Sequence, residues 1–445
     1  MVAAGPSVGL PNVDLASAAS EAAALYTEAN PNSLARHRAA AESMPGGNTR
    51  TVLFFAPYPL CFVRGDGARL WDVDGHEYVD FLGEYTAGLY GHSHPVITEA
   101  IQRALADGIA LGGHTPHEIA LAAAVKRRFP SVDLMRFCNS GTEANLLAIS
   151  AARLFTRRDK ILAFAGGYHG SVLSFPFTAP PGGTINVPFP VVLAPYNDLA
   201  ATEALIAANA KDLAAVIIEP MMGGGGCIQA APEFLAALRQ ACDRHGIVLV
   251  FDEVMTSRLS PGGLQQVRGI RPDLTSFGKY LGGGLPTGAF GGRAAIMERF
   301  DPRRPDAVAH AGTFNNNVLT MAAGAAGLTR VYTPEAAVAL NRSGDALRER
   351  LNELIRRRGA KAVVSGYGSM MNLHPGVAAP PASPADIAKV PTALRDVFHF
   401  DMLARGIHVA RRGMINLSLP MTEQDFDKLA GAFDEFLSAR AGLLA

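Results

Sequence analysis

The side chains best suited to chemistry fall in a few short stretches. Lys279 stands in Ser276-Phe277-Gly278-Lys279-Tyr280-Leu281-Gly282-Gly283-Gly284. Glycines and apolar neighbours can desolvate its amine, which lowers the pKa and leaves a neutral nucleophile. Asp252 follows the apolar run Ile247–Phe251, and the C-terminal end of a strand is where open α/β sheets receive ligands. Asn139-Ser140-Gly141-Thr142-Glu143-Ala144 is a glycine-containing turn ahead of a helical stretch, where backbone N–H groups can meet an anion. It lacks the GxxxxGK[ST] spacing of a triphosphate loop, which points to a single phosphate. Gly166-Gly167-Tyr168-His169-Gly170 sets an aromatic ring in a glycine frame, suited to stacking on a planar cofactor. Taken singly, each has an ordinary meaning: a strand-end aspartate more often caps a helix, a loop lysine is more often exposed, and a Ser-Gly-Thr turn is as often a plain N-cap. Their combination and order carry the information.

Elements of two kinds must position these residues. Helical stretches at Val96–Ala106, Glu118–Phe129, Glu143–Phe155 and Pro232–His245 alternate with compact apolar runs at Leu134–Cys138, Ile161–Phe164, Val191–Ala194, Ala215–Ile218 and Ile247–Phe251. Such runs, bounded by turns and separated by helices, predict βαβ units around a buried parallel sheet. Ahead of them, a helix over Ser33–Met44 ends at Pro45-Gly46-Gly47. Short strands follow at Leu60–Arg64 and Tyr78–Phe81, with Asp74-Gly75 as a hairpin turn after Leu70-Trp71. Beyond about residue 330 a second unit is expected. It has a charged helix at Ala346–Arg358, a strand near Ser369–Leu373, a loop over His374–Pro384, a helix near Leu394–Ala404 and a last helix from Glu423. The reading is a large central α/β domain over residues 86–328. A smaller one combines residues 1–85 with 329–445, and the Ala/Gly/Ser/Pro-rich start, residues 1–20, is expected to be loose.

Composition excludes several classes of function. The chain has 445 residues, 49% of them hydrophobic and 18% charged, enough apolar surface for a large core and too much for global disorder. Lys plus Arg (40) equal Asp plus Glu (40), so the excess positive charge of a nucleic-acid binder is missing. Cys61, Cys138, Cys227 and Cys242 form no CxxC pair, which indicates neither a disulfide framework nor a zinc site; no metal is expected. No Lys, Arg or His precedes Arg36, and no apolar run could span a bilayer. A cytoplasmic location away from membranes is therefore expected.

The ordered set Asn139–Asn145 (NSGTEAN), Gly167–Gly170 (GYHG), Ile218-Glu219-Pro220, Phe251–Val254 (FDEV), Gly278-Lys279 and Gly312–Asn315 (GTFN) resembles the class III aminotransferases, pyridoxal 5′-phosphate (PLP) enzymes of fold type I. The match runs from about Pro45 to about Leu437. The resemblance implies a large domain with a mostly parallel seven-stranded sheet flanked by helices, plus a smaller α+β domain from both chain ends. Within the class the chain is similar to glutamate-1-semialdehyde aminomutase-like sequences. More narrowly it is similar to β-amino acid (β-phenylalanine-type) aminotransferases, through Pro45–Arg50 (PGGNTR), Glu84–Gly91 (EYTAGLYG), Phe251–Arg258 (FDEVMTSR), Gly312–Asn317 (GTFNNN) and Arg412-Gly413.

The resemblance also assigns roles. Lys279 would hold PLP as a Schiff base and later carry the proton between carbons. Asp252 would pair with the pyridine nitrogen, so that the ring can accept electrons. Val254 and Tyr168 would lie on the two ring faces, with His169 and Glu219 among the cofactor-binding residues. Ser140, Gly141 and Thr142 would hold the phosphate. Thr313 would reach the phosphate of a neighbouring subunit, which implies a homodimer with shared sites.

Arg50 would anchor the substrate carboxylate through the paired hydrogen bonds a guanidinium can donate. Tyr85 would line the pocket, and Arg412 would meet the carboxylate of the 2-oxo acid. Arg411, its neighbour on an extended segment, is expected to face solvent. Val52, Phe54, Tyr85, Tyr90 and Met222 could form a pocket for an aryl or alkyl group, or could equally be core.

The expected reaction moves the amino group of an aromatic 3-amino acid such as β-phenylalanine to 2-oxoglutarate or pyruvate by a ping-pong route. The aminomutases differ at two places: they carry PGGVNSPVR where this chain has PGGNTRT from Pro45 to Thr51. They also carry an acidic residue in a Phe-Glu-Ala-Gly context where this chain has Ala410-Arg411-Arg412-Gly413-Met414. An aminomutase or a broad ω-amine transaminase is the alternative, and a non-catalytic PLP-fold binding protein is the reading from another class. A nicotinamide oxidoreductase finds no support, since Gly223–Gly226 lacks the strand–GxGxxG–helix context.

Overall fold

The computed structural model describes residues 14–178, 180 and 182–445. The start expected to be loose lies outside these residues up to position 13, but the chain is already helical from Leu15 to Ala29. Asp14 accepts a hydrogen bond from the Ser17 backbone N–H at 2.9 Å and so caps the first turn. Ala18, Ala22 and Tyr26, spaced at helical period, form the buried face that composition alone concealed.

In chain order the strands are β1 (Phe62–Asp66), β2 (Arg69–Asp72), β3 (Glu77–Asp80), β4 (Leu134–Cys138), β5 (Lys160–Phe164), β6 (Val191–Ala194), β7 (Leu213–Ile218) and β8 (Met221–Met222). After them come β9 (Ile228–Gln229), β10 (Val248–Asp252), β11 (Leu274–Gly278), β12 (Gly288–Gly292), β13 (Ala362–Tyr367), β14 (Met370–Pro375), β15 (Ile407–His408) and β16 (Met414–Asn416). Seven of them form one sheet in the order β4-β12-β11-β10-β7-β5-β6, with β12 antiparallel to both of its neighbours. The strands expected from the apolar runs occupy this sheet within a residue or two of their anticipated bounds. The Asp74-Gly75 turn likewise joins antiparallel β2 and β3.

Alternation along the strands explains the layers. Ile161, Ala163, Ala215, Ile217, Val248 and Val250 pack on one face against Ala144, Ala148, Ile149, Ala151 and Ala152 of the Gly141–Thr156 helix. Leu162, Phe164, Val216, Ile218, Leu249 and Phe251 pack on the other against Phe234, Leu235, Leu238, Ala241 and Cys242 of the Pro232–His245 helix. Both faces are buried, as a parallel sheet requires. The alanines of the first helix let it sit close to the sheet, which brings its N-terminus to the strand ends.

The rest of the chain builds two smaller sheets. β1, β2 and β3 join β15 from the far end of the sequence in one, and β13, β14 and β16 form the other. The charged helix begins at Pro334, earlier than Ala346, because Thr333 caps it through the Ala336 N–H. The Ser343-Gly344 pair inside it marks a close approach rather than a break: a Cβ on Gly344 would lie 2.1 Å from the Gly368 carbonyl oxygen. His374 and Pro375 belong to β14, so the Pro/Ala loop starts only at Gly376. No helix among the described residues is long and apolar enough to cross a membrane.

Candidate active site

Asp252 ends β10 and pairs in register with Ser276 on parallel β11. Lys279 follows the last residue of β11. Carboxylate and amine are thereby delivered at the same edge of the sheet, from adjacent strands, at the end where such sheets bind ligands.

The Asp252 carboxylate is buried and held from several sides. Oδ2 accepts from Asn145 Nδ2 at 2.7 Å and lies 2.8 Å from His169 Nδ1. Oδ1 accepts from the Val254 backbone N–H at 3.0 Å. Asn145 is fixed in turn by donating to the His169 carbonyl at 3.0 Å and accepting from the Ser276 hydroxyl. Buried polar groups of this kind specify one geometry when all are satisfied. Asn145 had no individual role in the sequence reading, yet a buried amide on the otherwise apolar face of its helix is the signal that marks it.

Glu219 accepts from the backbone N–H groups of Tyr168 at 3.0 Å and Gly223 at 2.9 Å, tying two loops together. Burial raises its carboxyl to about 7, with the nearby His169 opposing the rise. Lys279 adopts the left-handed conformation, φ 55°. Burial first, and then the guanidinium charges of Arg412 and Arg50, bring its amine down to about 8.

A cradle lies beside this pair. Ser140 caps the Gly141–Thr156 helix by accepting from the Glu143 N–H at 3.1 Å. A Cβ on Gly141 would come within 2.8 Å of Val254 Cγ1, and one on Gly170 within 2.4 Å of Thr142 Oγ1. The backbone therefore approaches closely where an anion would sit, and a side chain would fill the space. Asn139 donates through its side chain to Asn315 Oδ1 at 2.9 Å, which fixes the 312–315 segment against the cradle. Thr313 itself is exposed, as is its neighbour Phe314. Tyr168, whose backbone N–H is held by Glu219, is 51% exposed. A helix N-terminus for a phosphate, an exposed aromatic ring and Val254 for a flat ring, and a fixed carboxylate for a ring nitrogen together fit PLP. Among the described residues no cluster of His, Cys, Asp or Glu is arranged to hold a metal ion.

Substrate-side candidates form a second group. Glu84, Tyr85 and Thr86 all have left-handed backbone angles (φ 47°, 51° and 82°), a run that non-glycine residues adopt only when their surroundings impose it. The Tyr85 hydroxyl donates to the Val52 carbonyl at 3.1 Å. Arg412 lies 4.7 Å and Arg50 6.0 Å from the centre of the Tyr85 ring, within cation–π range. Arg50 also forms an ion pair with Glu84, a partner that sequence reasoning missed.

Arg411 does not stand free in solvent as expected, because both its Nε and Nη2 bond to the Asp396 carboxylate. Of the other pocket candidates, Val52 and Phe54 are exposed. Met222 is buried core, and Tyr90 packs inward against Tyr280 at 6.4 Å between ring centres.

Three comparisons bear on this arrangement. The family described as aminotransferase class-III matches residues 55–379. A beta-phenylalanine transaminase from Variovorax paradoxus is 51% identical over 419 residues, 94% of this chain and 95% of that one. A glutamate-1-semialdehyde 2,1-aminomutase from Sorangium cellulosum is 40% identical over 426 residues, covering 92% and 97%. The crystal structure of a beta-phenylalanine aminotransferase from Variovorax paradoxus superposes with a TM-score of 0.94 at 49% identity, over 97% of this chain and 99% of that one.

Proposed function

The chain belongs to the class III aminotransferases, PLP-dependent enzymes of fold type I, and on that premise we propose that its amino donor is a β-amino acid. The donor class is an aromatic 3-amino acid such as β-phenylalanine, and the acceptor a 2-oxo acid, 2-oxoglutarate or pyruvate, in two half-reactions of a ping-pong cycle. The observation that supports it most is the pair of guanidiniums on Tyr85, near enough to Lys279 to depress its amine. A β-amino acid carries its carboxylate one carbon farther from the amine than an α-amino acid does. Two arginines from opposite ends of the chain give one site two positions for a carboxylate. The similarity to a beta-phenylalanine transaminase supports the same reading.

PLP, when bound, supplies the electron sink that makes the amine-bearing carbon acidic. The chain's own residues do the rest. Lys279 would hold the cofactor through its amine, and that amine, when free and neutral, would take the proton from the donor's amine-bearing carbon and hand it on. Asp252, fixed by Asn145 and His169, would face the pyridine nitrogen. Ser140, Gly141 and Thr142 would hold the phosphate, and Tyr168 and Val254 the ring faces, with Glu219 bracing the Tyr168 loop. Arg50 would orient the donor carboxylate and Arg412 that of the acceptor. The exposed Thr313 and Phe314 support a homodimer in which Thr313 completes the partner's phosphate site.

A donor panel tests the reading: β-phenylalanine, α-amino acids, and aryl amines without a carboxylate, each with 2-oxoglutarate and with pyruvate. β-Phenylalanine should be the best donor, and failure to turn it over rejects the proposal. Arg50→Ala should raise KM for β-phenylalanine by about tenfold to a hundredfold, the cost of losing a charge-assisted pair of bonds. Turnover of carboxylate-free amines should hardly change. Equal losses on both donors would show that Arg50 is not the anchor.

A further inference from the structure

Arg258 is fully buried, and its charge has no carboxylate within ion-pair distance among the described residues. It ends the short turn Thr256–Arg258, a few residues beyond Asp252. Its guanidinium donates instead to two backbone carbonyls, through Nη2 to Leu417 and through Nη1 to Thr86 at 3.4 Å. Its own carbonyl is held by the Tyr332 hydroxyl and by Asn341 Nδ2, the latter at 2.9 Å. A buried guanidinium without a counter-charge is costly, so its bonds indicate what it is for.

Thr86 closes the left-handed run that carries Glu84 and Tyr85. Leu417 follows β16, the strand reached directly after Arg412 and Gly413. Asn416 links the same two segments again, donating from its backbone to the Phe81 carbonyl and from Nδ2 to the Leu82 carbonyl at 2.8 Å. Both segments thus meet at one guanidinium that is itself anchored next to the Asp252 strand.

We propose that Arg258 is a positioning residue for substrate binding, its buried fork pinning the Tyr85-bearing and Arg412-bearing segments to each other. The inference rests on Tyr85 and Arg412 serving the substrate, and it adds how their spacing is kept. A lysine retains the charge but lacks the planar fork that reaches two carbonyls at once.

The test uses PLP-loaded Arg258→Lys and Arg258→Gln enzymes. The readouts are kcat and KM for β-phenylalanine, the absorbance of the bound cofactor, and hydrogen exchange by segment. KM should rise about tenfold while kcat changes by no more than about threefold, with the cofactor absorbance unchanged. Exchange should quicken at residues 83–88 and 412–418 and not in the Gly141–Thr156 helix. Unchanged KM and exchange would overturn the proposal. So would faster exchange throughout the molecule with loss of the cofactor, the mark of a merely structural residue. If Arg258→Gln does not accumulate as folded protein, Arg258→Lys decides alone. If the unaltered enzyme does not use β-phenylalanine, the donor assignment fails, and the exchange comparison still decides the role of Arg258.

Discussion

Lys279→Ala should abolish the near-visible absorbance of lysine-bound cofactor and lower turnover by on the order of a thousandfold or more, since it removes both the covalent attachment and the group that moves the proton. The fold should survive the change. Lys279 lies in a short turn after β11, outside the strands and long helices that carry the core. PLP should still bind through the cradle at Ser140–Thr142, without the covalent link. The amine's environment gives this site a pH signature as well. In the cofactor-free protein, burial and the two arginines set its pKa at about 8. Raising the pH through that value frees the nucleophile, and lowering it protonates the amine. Capture of added PLP should therefore slow about tenfold for each pH unit well below 8. The dependence should be absent in Lys279→Ala.

Asp252→Ala should lower kcat by on the order of a hundredfold or more, the scale seen when one preorganised electrostatic partner is removed from a site. Among the described residues the Asp252 carboxylate is the only acidic group that both Asn145 and His169 hold. Asp252→Asn is the sharper variant. It preserves shape but replaces one oxygen with an N–H donor that faces either the Val254 N–H or Asn145 and His169, and it removes the negative charge. Both variants should take up PLP and both should lose turnover. Activity within about threefold of the unaltered enzyme in either variant would remove Asp252 from the chemistry. The two predictions are independent, since Lys279 fails at the covalent step and Asp252 at charge stabilisation.

Much of the positioning framework was legible because the central strands obey a strong rule. Runs such as Val248–Phe251 are apolar on both faces, and a sheet covered by helices on both sides demands that pattern. β12 escaped because Gly-Ala-Phe-Gly-Gly reads as a loop. It is a strand because β11 and β4 pair with it on both sides, and it is glycine-rich because a Cβ would strike the Ser140 carbonyl oxygen at Gly288 and the Asp273 carbonyl oxygen at Gly292. Those constraints come from neighbours far away in the sequence. β11 escaped for another reason: Leu274–Gly278 mixes Thr and Ser into its run, and these are buried only because Asn145 and Gln265 bond to them. The Leu199–Asn209 helix gives no periodic signal, since its alanines and leucines show no clear apolar face.

At the site, the motifs identified the residues that the family resemblance singles out. They could not show what holds those residues. Glu84 and Arg258 act through tertiary contacts, and nothing in their local spacing distinguishes them from ordinary surface polar residues; Asn145 is marked only by its place among the buried alanines of its helix. Arg411 and Arg412 illustrate the boundary. The expected extended segment is in fact a tight turn, closed by the Gly413 N–H on the Ala410 carbonyl at 2.8 Å, so alternation does not set their directions. The fold does, by supplying Asp396 to the first and Tyr85 to the second.

Borohydride reduction of the PLP-loaded protein, followed by proteolysis and mass mapping of the peptides, addresses the central claim most directly. A single pyridoxyl group on the peptide that contains Lys279 is the predicted result, lost in Lys279→Ala. Labelling of another lysine, or no label on a protein that has retained its cofactor, would contradict it.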